Sequence, residues 1–382
     1  MFGNIKRIMA VAMLSLAMAA CQVIPDSGQP GPPPPPPDTG PSDTVLPDDE
    51  ARHRVALLVP LSGANEDAGR SIANATTMAL LDTSADNVRI TTYDTAQGAG
   101  TAASRAIADG NKLILGPLMR DEVRTVLGQA RPADVPLITF SNDVSVAERD
   151  VFVMGHAPEQ SIARTITYAA GQGMRRIAAL IPDGEYGDRA QQALRSAASS
   201  AAAEVVSVER YNRGNTSIVS AAERLESRGG YDAVLIADGA RLSSMAATAM
   251  RRGDTPVIVL GTELWSGDAG VASAAALRGA LYSSVSDARY RQFLDSYRGR
   301  FDEQPYRIAT LGYDAVLLVL RVAQDWQPGS DFPTARMVGS DGFLGLDGPF
   351  RFRSDGVGER AMEVRRVGDG SVSVADPAPT RF

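Results

Sequence analysis

The sequence predicts an α/β fold with parallel sheets, arranged in two lobes. Two observations predict it. From Val55 onward, short apolar runs alternate with stretches of helical period, and parallel strands need crossover helices between them. More than ten such elements precede residue 285, which is too many for one comfortable sheet.

Val55 to Val59 is continuous, apolar and ended by Pro60, the pattern of a buried strand. Ser62-Gly63 turns the chain. A helix over 65–81 then sets Ile72, Ala75, Ala79 and Leu80 on one side. Next come strand 88–93, helix 101–109, strand 113–115 closed by Gly116-Pro117, helix 120–130 and strand 137–139. A second series opens with a helix carrying Ile162, Ile166 and Ala169. It continues through strand 177–181, an Ala-rich helix over 185–203, strand 205–208 and helix 218–228. Strand 233–237, helix 242–252 and strand 257–260, ended by Gly261, complete it. A late helix over 307–324 groups Ile308, Leu311, Ala315, Leu318 and Val322, and is expected to return to the first lobe's sheet. Residues 348–352 and 362–367 read as a β-hairpin joined through Asp355-Gly356. The first lobe is expected over about 54–157 and 286–345, the second over about 158–285 and 346–382. No fixed repeat of solenoid length is visible.

The N-terminus has its own logic. Lys6 and Arg7 precede an apolar run from Ile8 to Met18, which suits a signal peptide over 1–20 and is too short to span a bilayer. Met18-Ala19-Ala20-Cys21 resembles a bacterial lipobox, which implies lipidation of Cys21. It is the only cysteine in the chain, so no internal disulfide is expected. Gln22 follows where an Asp would signal inner-membrane retention, which favours the outer membrane. Residues 21–53 hold the unbroken run Pro32 to Pro37 among further Gly and Pro, and read as a polyproline II tether. Fully extended at ~3.1 Å per residue, it would reach roughly 100 Å.

Composition narrows the function. The formal net charge of -7 argues against nucleic acid, which wants a basic face. No dinucleotide fingerprint, P-loop, nucleophile elbow or zinc-protease motif occurs. The two histidines, His53 and His156, have no Cys or second His near them in sequence, so neither suggests a metal site. Lys112 opens a strand far from any marked Ser. The chain therefore reads as a non-enzyme with no metal and no cofactor.

In open α/β sheets, ligands sit beyond the carboxyl ends of strands. Those ends carry Pro60-Leu-Ser62-Gly63, Leu115-Gly-Pro117, Thr139-Phe-Ser141, Pro182-Asp-Gly-Glu185-Tyr186-Gly187 and Gly261-Thr-Glu263-Leu-Trp265. With Leu311-Gly-Tyr-Asp-Ala315 and Gly345-Leu-Asp-Gly-Pro349, the series resembles the type I periplasmic solute-binding proteins, in particular the leucine/isoleucine/valine-binding group. The resemblance covers residues 54 to about 375. It implies two Rossmann-like parallel-sheet lobes joined by a hinge. The lipobox, the tether, Glu263-Leu-Trp265 and the ending Asp347-Gly-Pro-Phe-Arg-Phe352 are most similar to the outer-membrane lipoproteins called penicillin-binding protein activators. Enteric members of that group carry an N-terminal helical-repeat domain, and none is read ahead of residue 54 here.

The resemblance implies a ligand cleft lined by Ser62, Ser141, Tyr186 and Glu263. Hydroxyls and helix N-terminal amides suit a carboxylate, and Glu263 suits an ammonium. Each residue has a plainer reading too: Ser62 as the cap of the first helix, Ser141 as a cap or turn former, Tyr186 as packing beside the hinge, and Glu263 as a solvated loop acid or the cap of the turn before Trp265. Phe140 stands where binders of the group often have a small residue, and is expected to fill the cleft. Two functions follow. One is a lipid-anchored module in the outer membrane, facing the periplasm, that activates a bifunctional penicillin-binding protein in peptidoglycan synthesis. The other is an amino-acid-binding lipoprotein of an ABC-type transport system. The tether and Gln22 favour the first, and the polar strand ends favour the second.

Overall fold

The computed structural model describes residues 52–250 and 257–380. The signal peptide, Cys21 and almost all of the tether lie outside the described residues, as do the last two positions of the helix expected over 242–252. Among the described residues no helix is long and apolar enough to cross a membrane.

In the first lobe, β1 (His53–Val59), α1 (Glu66–Thr83), β2 (Val88–Asp94), α2 (Ala99–Ala108), β3 (Leu113–Leu115), α3 (Arg120–Ala130), β4 (Leu137–Thr139) and β5 (Val151–Val153) follow in order. All five strands are parallel, in the order β2-β1-β3-β4-β5. In the second lobe, α4 (Pro158–Gly171), β6 (Arg176–Pro182), α5 (Glu185–Ser200), β7 (Glu204–Tyr211), α6 (Ser217–Arg228) and β8 (Ala233–Ile236) are followed by α7 (Ala240–Met250), β9 (Ile258–Leu260), α8 (Ala269–Ser273) and β10 (Leu281–Ser284). The chain then returns as α9 (Tyr290–Phe301), α10 (Ala309–Ala323), β11 (Phe343–Gly345), β12 (Gly348–Phe352) and β13 (Gly358–Arg360). It ends with β14 (Glu363–Val367) and β15 (Val372–Asp376). The second sheet runs β15-β14-β10-β9-β8-β6-β7, parallel from β7 to β10 and antiparallel at β14 and β15.

The apolar runs became these strands because both faces are covered. β1 is buried from Val55 to Val59, and these side chains divide between two clusters: Val55, Leu57 and Val59 face α1 and α10, while Ala56 and Leu58 face α2 and α3. In α5, Ala190, Ala193, Leu194, Ala197 and Ala198 form the buried stripe, at helical spacing. As expected, α10 lies on the first sheet: Leu311, Ala315 and Leu318 share a cluster with Leu57 and Leu115.

The ending departs from the sequence reading. The turn at Asp355-Gly356 is present, but β12 pairs with β13, not with residues 362–367. β14 instead pairs with β10 and β15. Phe350 and Phe352 are buried in the first lobe's core. The chain therefore crosses to the second sheet after Arg360, not at 345. Gly358-Glu-Arg360 carries no apolar run, which hid it as a strand.

Candidate functional site

Three segments cross between the lobes, around Met154–Ala157, Val285–Arg289 and Ala361–Met362. They form the hinge, and the cleft opens at the carboxyl ends of the parallel strands. One close approach sets each wall. A Cβ on Gly69 of α1 would lie 1.8 Å from the Pro60 carbonyl oxygen, and one on Gly187 of α5 would lie 1.8 Å from that of Pro182. Only glycine lets these helices start against the strand ends.

Tyr186 and Glu263 meet beyond the carboxyl ends of β6 and β9 in the second lobe. The Tyr186 hydroxyl donates to Glu263 Oε1 at 3.0 Å and lies 3.1 Å from Thr262 Oγ1. Glu263 is buried, and burial pushes its pKa up to about 7 against the pull of that hydroxyl and of Arg189. The Arg213 guanidinium stacks 5.1 Å above the Tyr186 ring, held by Asp238 at 2.8 Å. Tyr211 also donates to Asp238, at 2.6 Å. Trp265 is fully buried behind the wall and donates to the Asp238 carbonyl at 2.9 Å. Glu263 is thus neither a solvated acid nor a cap; Thr262 caps its turn.

The first-lobe residues are used differently. The Ser62 hydroxyl donates to Asp94 Oδ2 at 3.0 Å and makes no helix cap. Burial opposes the charge on Asp94, but the Leu61 and Ala96 N–H groups and Ser62 outweigh it and hold the pKa low. Ser141 is buried and its hydroxyl accepts from the Asp143 N–H at 3.1 Å, a turn role. Among the described residues, the hydrogen bonds of the Ser62 and Ser141 hydroxyls stay within the first lobe. Phe140 packs in the first lobe's core with Phe152 and Met154, so it does not fill the cleft as expected. The apolar run of β4 extends through it.

At the cleft mouth the lobes touch through charged groups, of which the sequence reading named only Glu185. Arg120, at the start of α3, pairs with Asp143 at 2.8 Å and with Glu185 of α5. Arg189, one turn along α5, makes two bonds of 2.8 Å to Glu159 and donates at 2.6 Å to the Asn142 carbonyl. Asp143 is buried. Burial opposes its charge, but bonds from Ser145 and the two arginines hold its pKa low.

At the hinge side lies a buried ionic cluster. Asp347 accepts from Thr310 at 2.9 Å, pairs with Arg307 at 2.8 Å, and lies 2.9 Å from His156 Nε2. Arg360 stands 3.5 Å from Asp314 and 3.9 Å from Asp347. Arg307 crosses to the second lobe, where its Nε donates to Ser266 Oγ at 3.2 Å, and it stacks 4.2 Å over Tyr290. Burial works against Asp347, yet Arg307 and its other partners hold it ionised far below the usual range. Burial and the Asp347 charge push Asp314 up. Burial lowers the His156 pKa against the pull of the Asp347 charge. Asp314 and Asp347 belong to the Tyr-Asp-Ala and Leu-Asp-Gly motifs, which is the signal that could have found the cluster.

Among the described residues no group of His, Cys, Asp and Glu could hold a metal ion. His53 stacks on Trp326 at 4.2 Å, and Lys112 pairs with Asp331 at 2.9 Å. Both have structural roles.

A family model described as periplasmic binding protein matches residues 53–371. Two curated relatives match in part. An uncharacterised protein of Rickettsia prowazekii is 29% identical over 155 residues, 40% of this chain and 42% of that one. The penicillin-binding protein activator LpoA of Photobacterium profundum is 29% identical over 142 residues, 35% of this chain and 23% of that one. The matches therefore span less than half the length of these relatives. Among solved structures, a branched chain amino acid ABC transporter periplasmic ligand-binding protein from Burkholderia xenovorans aligns with TM-score 0.69 at 17% identity, covering 86% of this chain and 94% of that one. Full-length LpoA from Haemophilus influenzae aligns with TM-score 0.64 at 16% identity, covering 85% and 59%. At these identities the likeness is one of fold.

Proposed function

The chain belongs to the periplasmic binding protein family, and on that premise we propose that it is a non-enzymatic, lipid-anchored module that works by protein contact in the periplasm. Anchored through Cys21 to the outer membrane and extended by its proline-rich tether, it stimulates a bifunctional penicillin-binding protein in peptidoglycan synthesis.

One observation carries this reading. Glu263, the acid that would receive an ammonium, is buried against the chain's own Tyr186 and is raised to about 7. That carboxyl already accepts a hydroxyl from its own lobe, and burial disfavours the charge an ammonium would pair with. Ser62 and Ser141 are likewise engaged by Asp94 and by their own loop. The partial match to the activator of Photobacterium profundum supports the choice of partner.

A second reading, an amino-acid-binding lipoprotein of an ABC-type transport system, is favoured by one feature. Glu263 Oε2 is buried at the strand ends without a hydrogen-bond partner, as an acid awaiting a donor would be.

Capture distinguishes the two. The full chain is immobilised and exposed to detergent-solubilised membranes of its own cell. Retention of a bifunctional penicillin-binding protein, lost on adding free chain, supports the first reading. Retention of a transporter permease, or of nothing until an amino acid is added, supports the second.

A further inference from the structure

Members of a two-lobed fold commonly work by opening and closing around a ligand. This chain carries a device that opposes such motion. We propose that a reciprocal arginine clasp holds the two lobes together across the cleft mouth, so that the domain is a closed, rigid body whether or not a ligand is bound. The inference rests on the geometry of the mouth and stands apart from the choice of partner.

The clasp has two arms of opposite origin. The first lobe supplies Arg120, which reaches Glu185 on the first turn of α5. The second lobe supplies Arg189, which reaches back to the Asn142 carbonyl oxygen at 2.6 Å and approaches Asp143 Oδ1 at 3.8 Å. Glu185 and Arg189 are four residues apart on one helix, so both arms meet the same face of α5.

Each arginine is also aimed from behind by a carboxylate of its own lobe. Asp143 holds Arg120 at 2.8 Å. Glu159 holds Arg189 through two bonds of 2.8 Å. An isolated surface ion pair is weak because two long side chains must be ordered to make it. Here that ordering is already done within each lobe, and the bidentate geometry of Arg189 adds direction. Asp143 is buried at the centre, with an arginine from each lobe within 4.0 Å. Separating the lobes would take Arg189 away from Asp143 and Asn142, and would leave the Asn142 carbonyl without its arginine donor.

The test is a distance measurement across the mouth. Full-length chain carrying Cys21→Ser, so that no native thiol remains, receives Arg124→Cys on α3 and Gln192→Cys on α5 and is labelled with nitroxides. Pulsed electron paramagnetic resonance then reads the separation. The intact clasp is expected to give one narrow distribution, unchanged by saturating leucine or by a mixture of free amino acids. Arg120→Ala with Arg189→Ala is expected to lengthen and broaden it. If that pair disturbs folding, Arg120→Gln, at a part-exposed position, removes one arm and is expected to broaden the distribution less. A broad or two-peaked distribution in the unmutated clasp overturns the proposal. So does a distribution that shortens with an amino acid, or one that the arginine changes leave as it was.

Discussion

The Tyr186 hydroxyl reaches Glu263 Oε1 at 3.0 Å, joining the first turn of α5 to the turn that follows β9. The contact places a hydroxyl donor on a carboxyl that burial has pushed up to about 7. It is also the only pair among the four expected cleft residues that the fold brings together.

Tyr186→Phe keeps the ring under Arg213 and removes only the hydroxyl. The buried Glu263 carboxylate then loses its side-chain donor, at a cost of about 1–3 kcal/mol. Chemical denaturation at pH 8 should show that loss. An unchanged midpoint would mean that the pair contributes nothing to the fold.

Glu263 also predicts a pH dependence. An unperturbed glutamate titrates at 4.5, and the folded group at about 7. The folded chain holds the proton more tightly, so the contribution of neutral Glu263 is complete below pH 4.5 and is lost as pH rises to 7. The full difference is worth about 3 kcal/mol. Asp314, also raised, acts in the same direction. Denaturation at pH 5 and pH 8 should therefore show a steeper fall for the parent chain than for Glu263→Gln, and the variant should be the more stable at pH 8.

The hinge cluster predicts a larger effect. Asp347 is fully buried between Arg307, Arg360, Thr310 and His156. Asp347→Ala would leave two buried guanidinium groups short of an anion, a loss of about 3–5 kcal/mol. Asp347→Asn keeps an acceptor for Thr310 and should lose less. Urea midpoints rank the two.

Two glycines should respond with opposite signs. Gly187→Ala drives a Cβ into the Pro182 carbonyl oxygen and should destabilise by about 1–3 kcal/mol. Gly128, within α3, has open space at that position. There the alanine should stabilise by up to about 1 kcal/mol through helix propensity. Thermal melts of the two variants check the contrast.

These residues also mark what was legible in the sequence. Strands 113–115 and 137–139 and helix 120–130 stand where the periodicity puts them, because apolar runs buried on both faces have no competing reading. Val151–Val153, an equally short buried run, escapes that reading because no α-helix separates it from strand 137–139, so it breaks the strand–helix alternation. Tyr290–Phe301 was missed because it mixes aromatic and charged residues; its stripe of Tyr290, Phe293 and Tyr297 packs against Ala75 and Met78, far away in sequence. The site divides in the same way. The motifs led to Tyr186 and Glu263 but not to their pairing, which spans 77 residues. Arg120 and Arg189 look like surface charge on two separate helices until the fold brings those helices to one cleft mouth.

The central claim is action on a partner enzyme, and the most direct measurement is a rate. Glycan polymerisation by a purified bifunctional penicillin-binding protein of the same cell is followed with increasing amounts of the full-length chain in detergent. The account predicts a saturable rise in rate that an excess of free amino acids does not alter. An unchanged rate, together with saturable binding of an amino acid by the same preparation, would contradict it.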